Sequence, residues 1–213
     1  AGTLLLAVGY NVPSVTAGAI FYAVVATLAA GALFLLKDVL DQILPAESQI
    51  LAVSLELYGD EEEELEEYEE VSPAIPAATT LVSICFAIAA LMMAGLPPLS
   101  GFVAKFAMIS GAFAADGAPS MGTWWFTGAL MLSGLLVLIS MVRNGINIFW
   151  ASLPAGKLVR LRPLEIGPIV GLLAVCVALS VAAGPTMSFF LETANVLHAP
   201  EIYTQAVLPG SAP

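Results

Sequence analysis
Long apolar runs alternate with short polar interruptions along the chain, and the length of each run decides what it can be. No charged residue occurs from about Ser14 to Leu36, which is enough for one helix across a hydrocarbon core that takes ~20 residues. Asn11 and Pro13 supply the turn before it, and Lys37 closes it. Apolar sequence resumes at Pro73 and continues to Ala115 with Lys105 as its single charge. A further span is expected from about Trp124 to Trp150, with a tryptophan for each interface, and a last one from about Glu165 to Ala183. The opening run from Gly2 to Gly9 is too short to cross and reads as the stump of a preceding helix, so the chain reads as a fragment. Beyond a turn at Gly184-Pro185, the tail from Thr186 to His198 puts Met187, Phe190, Leu191, Ala194 and Leu197 on one helical face. That is the pattern of an interfacial helix, ended by Pro200.

The stretch from Pro73 to Ala115 is too long for one straight crossing, since at 1.5 Å per residue it would reach about 60 Å, twice the hydrocarbon thickness. It must break, and Gly95-Leu96-Pro97-Pro98-Leu99-Ser100-Gly101 is where it breaks. Two prolines there remove backbone donors and two glycines permit unusual dihedrals. An interruption inside a membrane survives only where protein or a wet cavity satisfies the freed backbone groups. Two arrangements follow: one crossing made of two half-helices, or a hairpin whose second arm returns. The arm from Phe102 to Ala115 is short for a crossing, which favours the single broken crossing.

Composition makes lipid the solvent. With 59% hydrophobic and 11% charged residues and a mean hydropathy of +0.94, the chain holds more apolar surface than a soluble domain of this length can bury. The expected fold is all-α and integral to the membrane, a single membrane domain over 1–213 with about four transmembrane helices. The net charge of −11 comes from one place, because ten of the seventeen acids lie between Glu56 and Glu70. Residues 37–72 therefore read as a solvated acidic loop. Short basic loops stay cytoplasmic, so Lys157, Arg160 and Arg162 put their own loop on the cytoplasmic side of a cell inner (plasma) membrane. A single broken crossing then puts the acidic loop on that side too, with Asp116 and the tail from 184 to 213 outside. Cys85 and Cys176 sit in apolar runs without neighbouring ligand residues, which argues against a metal site or a disulfide. No nucleophile with a base, no phosphate loop and no basic patch for nucleic acid appears. Neither an enzyme nor a cofactor is expected.

Around the break the sequence becomes specific. Ala94-Gly95-Leu96-Pro97-Pro98-Leu99-Ser100-Gly101-Phe102-Val103-Ala104-Lys105 closely resembles a motif of the antiporter-like subunits shared by Mrp/Pha-type multisubunit cation/proton antiporters and respiratory complex I. Tyr22 to Leu36, Tyr58-Gly59-Asp60, Phe149-Trp150 and the tail from Ala183 to Leu208 resemble the D subunits of the Mrp/Pha type, so the resemblance spans the chain. It implies the second inverted-repeat half of such a subunit, with a lysine at mid-membrane on the broken helix. It implies an ion transporter whose partners are protons, sodium or potassium, lipid, the N-terminal half of the same subunit and other subunits of the complex. A membrane-arm subunit of complex I or a membrane-bound hydrogenase is the alternative, and a structural scaffold without conduction is another. The family's histidine on the preceding helix has no counterpart here, where Val25 and Ala26 stand beside Tyr22 and Thr27.

Lys105 is thus the principal candidate. An ammonium at membrane depth is costly unless hydrated or paired, and a lysine, unlike an arginine, can give its proton up. Tyr22 and Thr27 are expected to hold water along the proton path in place of the missing histidine. Arg143 lies about 28 Å along a helix from Trp124, near the far interface, with Asn144 and Asn147 as polar neighbours and an electrostatic role beside Lys105 as the alternative. Asp116 is a candidate for lining a proton exit. Gly95, Pro97, Pro98, Ser100 and Gly101 form the break. His198, Glu165 and Glu192 are expected at the interface.

Overall fold
The computed structural model describes residues 2–43, 77–115, 120–149, 163–199 and 201. The acidic run, Asp116, the basic loop with Lys157, Arg160 and Arg162, and the tail beyond 201 lie outside the described residues. Seven helices occur among the described residues: α1 (Gly2–Tyr10), α2 (Pro13–Ile43), α3 (Ala77–Ala94), α4 (Ser100–Ala115), α5 (Met121–Phe149), α6 (Pro163–Val181) and α7 (Ala183–His198). The fold is all-helical, and α2 and α5 are each long and apolar enough to cross a membrane. The asparagine–proline pair behaves as its chemistry demands. Asn11 ends α1 with φ 53°, a left-handed cap, and Pro13 opens α2, where a missing N–H costs nothing.

α2 is the spine of the molecule, and it runs past Lys37 for nearly two more turns to Ile43. The expected loop start at Lys37 is therefore moved. Leu36, Val39 and Leu40 are buried while Lys37 and Asp38 are exposed, so the helical spacing keeps an apolar face packed as the charges point outward. Two core clusters divide the length of α2. Val15, Ala19, Phe21, Tyr22 and Val25 pack with Ala104, Met108 and Ala112 of α4. Ala29, Ala32, Leu36 and Val39 pack with Val82, Cys85, Ala89 and Met92 of α3 and with Ile169, Leu173 and Cys176 of α6.

This division decides how the broken stretch runs. α3 covers the C-terminal half of α2 and α4 the N-terminal half, so the two short helices follow one another along the spine instead of lying side by side. α4 comes close because small residues face each other. A Cβ on Gly18 would lie 2.7 Å from Met108 Cγ and 2.9 Å from its backbone nitrogen. Ser14 Oγ donates to the Gly111 carbonyl at 3.3 Å. Backbone proximity of this kind is what holds apolar helices together where no hydrophobic driving force separates them from lipid. α5 then returns along the broken pair. Its first turns meet Tyr10 and Phe113 through Phe126 and Trp124, Tyr10 Oη and Thr123 Oγ1 lie 2.9 Å apart, and its last turns meet α3 where Phe149 packs on Phe86.

α7 departs from expectation in two respects. The bend falls at Ala182, just before the expected Gly184-Pro185 turn, and α6 and α7 meet there at 83°. Gly184 and Pro185 belong to the first turn of α7, where proline forfeits no intrahelical bond. The packed face of α7 also differs. Met187 and Phe190 join the cluster on α2 and Ala194 is buried, while Leu191 and Leu197 are exposed. His198 completes that face, its Nε2 2.8 Å from Thr16 Oγ1.

Candidate functional site
The end of α3 is built by Gly95, whose φ of +77° costs an L side chain ~1–2 kcal/mol and glycine nothing. Leu96 N–H donates to Leu91 O at 3.1 Å and Gly95 N–H to Met92 O at 3.2 Å, the paired bonds of a Schellman motif. These satisfy two of the four carbonyls a helix end leaves over. The carbonyl of Ala94 is taken by Lys105, whose Nζ donates to it at 2.8 Å. The chain therefore closes the break on itself: the lysine one turn into α4 caps the helix that precedes it. The negative end of the α3 dipole adds to the attraction for an ammonium.

Lys105 is buried, with 7% of its surface exposed. Its Nζ stands 5.9 Å from the centre of the Tyr22 ring, within the range at which an aromatic face attracts a cation. Two glycines form the remaining walls. A Cβ on Gly95 would lie 2.8 Å from Lys105 Cδ, and one on Gly134 of α5 would lie 2.8 Å from Nζ and 2.7 Å from the Ala94 oxygen. Four helices thus meet at one ammonium: α2 through Tyr22, α3 through Ala94, α4 through Lys105 itself and α5 through Gly134. Ser100, at the head of α4, is fully buried and its Oγ has no hydrogen-bond partner in the structure. Gly101 is required next to it, because a Cβ there would run into the Met92 carbonyl.

This broken-helix lysine and the helices around it fall within residues 2–136, which match the family model for the transmembrane region of NADH:quinone oxidoreductase and Mrp antiporter. The chain belongs to that family. Among its relatives, the D subunit of a probable K(+)/H(+) antiporter from Rhizobium meliloti is 47% identical over 217 residues, covering 100% of this chain and 40% of that protein. The D subunit of a Na(+)/H(+) antiporter from Alkalihalophilus pseudofirmus is 35% identical over 132 residues, covering 58% of this chain and 24% of that protein. Its counterpart in the Bacillus subtilis Na(+)/H(+) antiporter is 32% identical over 149 residues, covering 70% and 25%. The chain thus spans about two fifths or less of the length of these relatives.

Within the family frame, the structure brings together some of the residues singled out from sequence and separates others. Tyr22 stands at Lys105 and presents its ring face to it. Thr27 does not join them: it is exposed and donates to the Ala23 carbonyl of its own helix at 2.7 Å. Arg143 is exposed on α5, nine residues beyond Gly134, in a shallow groove with Leu138, Ile139, Val142, Ile146 and Asn147. Asp116 lies outside the described residues. Two members of the site were not legible in the sequence. The Ala94 carbonyl has no side-chain signature, and Gly134 is one small residue in an apolar span, where spacing alone says nothing of what it faces.

Proposed function
We propose that this chain is part of a proton-translocating subunit of a multisubunit monovalent cation (sodium or potassium)/proton antiporter, with Lys105 carrying the exchangeable proton. The observation that supports this reading is the buried Lys105 ammonium on the Ala94 carbonyl at a helix break. The antiporter names of the relatives favour a transporter over a redox-linked membrane arm. An ammonium held by one carbonyl, one aromatic face and a helix end is stabilised well enough to persist in apolar surroundings. It is not locked by a carboxylate, since among the described residues no ion pair to Lys105 is recorded. Release of the proton leaves a neutral amine whose remaining N–H bonds the Ala94 carbonyl without charge assistance, so a change of charge at this point also weakens what holds the two halves of the broken helix together. We read the chain as four crossings of the plasma membrane, α2, the broken pair α3–α4, α5 and α6, with α7 at the outer surface and the acidic loop in the cytoplasm. The cation, the other subunits of the complex and the remainder of this subunit complete the assembly.

Substitution of Lys105 in the assembled antiporter is the direct test, with cation-dependent proton flux followed in everted vesicles. Lys105→Ala is expected to lower antiport at least about tenfold, the effect of a ~1.4 kcal/mol higher barrier, while the complex still assembles, because deleting an expensive buried charge need not destabilise its helix. Lys105→Arg is expected to fail as well, since a guanidinium does not release its proton in a useful range. Antiport at the wild-type rate in the arginine variant would show that the position supplies a fixed charge, and the proton-carrying assignment would be lost.

A further inference from the structure
We infer that Gly134 is a positioning residue for Lys105: its bare backbone lets α5 close over the ammonium and hold it on the Ala94 carbonyl. The geometry is specific to this glycine. A Cβ built there lies 2.7 Å from the Ala94 oxygen and 2.8 Å from Lys105 Nζ, while those two atoms are themselves 2.8 Å apart. A methyl group at 134 therefore sits against both ends of the one hydrogen bond that holds the charge. Separations under 3.0 Å between carbon and these atoms are not sustained, so either α5 backs away or the ammonium leaves the carbonyl. Elsewhere on the same helix the same substitution meets nothing: a Cβ on Gly128 has no neighbour within 4 Å. At Gly145 it meets the rim of the Phe86 ring, at 3.0 Å.

The wall that Gly134 forms is needed because the other three sides are already taken. Tyr22 covers one face, Gly95 lies along the lysine stem, and the Ala94 carbonyl accepts the hydrogen bond from Nζ. Among the described residues, Tyr22 is the titratable group recorded against the ammonium, and the α3 and α5 contacts recorded at Nζ are the Ala94 carbonyl and the backbone at Gly134. With α5 in place the ammonium has one acceptor and one position. With α5 displaced it gains room and solvent, and the balance between its charged and neutral forms changes.

This inference rests on the reading of Lys105 as the proton carrier. Its test compares Gly134→Ala with Gly128→Ala in the assembled antiporter, reading the pH profile of cation-dependent proton flux in everted vesicles, with Lys105→Ala measured alongside. Both alanines improve helix propensity equally, so the difference in rate between them reports the contacts with the Ala94 carbonyl and Lys105 together, and the pH profile isolates the effect on the lysine. Gly128→Ala is expected to match wild type. Gly134→Ala is expected to cut the rate about tenfold and to move the midpoint of the pH profile by about one unit, the scale set by one charge-assisted hydrogen bond. A rate loss with an unmoved profile, or a Gly134→Ala variant that behaves as Gly128→Ala, overturns the inference. Full activity in Lys105→Ala instead removes the proton-carrier reading beneath it. Where Gly134→Ala fails to accumulate, its combination with Lys105→Ala decides: the untethered Ala94 carbonyl can then turn aside, so accumulation should recover, and an undiminished defect counts against the positioning role.

Discussion
At the scale of single residues, the chemistry of the site is that of a cation with few partners. Lys105 has one carbonyl and one aromatic face where a soluble protein would supply carboxylate or water. The role of Tyr22 follows from which part of it is close. Its ring centre is 5.9 Å from Nζ, whereas the hydroxyl has no recorded bond to the lysine. Tyr22→Phe should therefore preserve antiport, because the ring face remains, and Tyr22→Leu should reduce it roughly threefold to tenfold, matching the ~0.5–1.5 kcal/mol of a partly desolvated cation–π contact. Equal losses in the two variants would transfer the role to the hydroxyl and restore the idea of a tyrosine-held water.

At the scale of elements, two helix ends govern the assembly. The first is the α3 terminus, where Gly95 and the two Schellman bonds leave the Ala94 carbonyl for Lys105. The second is α7, held on α2 by Phe190 against Phe21 at 5.9 Å and by His198 on Thr16. A helix docked on one face predicts unequal reactivity of adjacent positions. A cysteine replacing Ala194, which is fully buried, should resist an impermeant maleimide, while one replacing the exposed Asn195 should react readily. Adding Thr16→Val removes the hydroxyl partner of His198 at nearly constant shape. It should raise labelling at position 194 about fivefold, the effect of losing ~1 kcal/mol. Equal labelling at 194 and 195 without that change would mean that α7 lies free of α2.

At the scale of the whole molecule, the helix directions form one consistent set. The start of α2 meets the end of α4, through Ser14 and Gly111, and the start of α5 meets the ends of α1 and α4. The end of α5 meets α3 at Phe86. α6 runs against α2 with Leu172 beside Gly31. The segments 44–76 and 150–162 therefore leave from the same end of the bundle. Single cysteines at Glu63 and Lys157 should accordingly be labelled from the same side, the one we propose as cytoplasmic from the basic residues of the second loop. Labelling from opposite faces would require the broken stretch to act as a hairpin and would reverse half of the topology.

What the sequence determined by itself was the solvent, the break and the charge. Uninterrupted apolar runs imply lipid because a soluble domain of this length cannot bury so much apolar surface, and Pro97, Pro98 and Gly95 mark the break because proline lacks a backbone donor and glycine takes the positive φ that ends a helix. Lys105 stood out because a lone ammonium in forty apolar residues has to have a reason. Tertiary structure decided everything that depends on who faces whom. Helical spacing places Tyr22 and Thr27 on one spine, but only packing against α4 selects Tyr22 and turns Thr27 away. It extends α2 beyond Lys37, since Val39 and Leu40 find a core there. It also brings Gly134 from a distant helix to the lysine and makes a backbone carbonyl its partner. A carbonyl belongs to every residue and a glycine has no side chain, so neither leaves a mark in sequence until another helix closes on it.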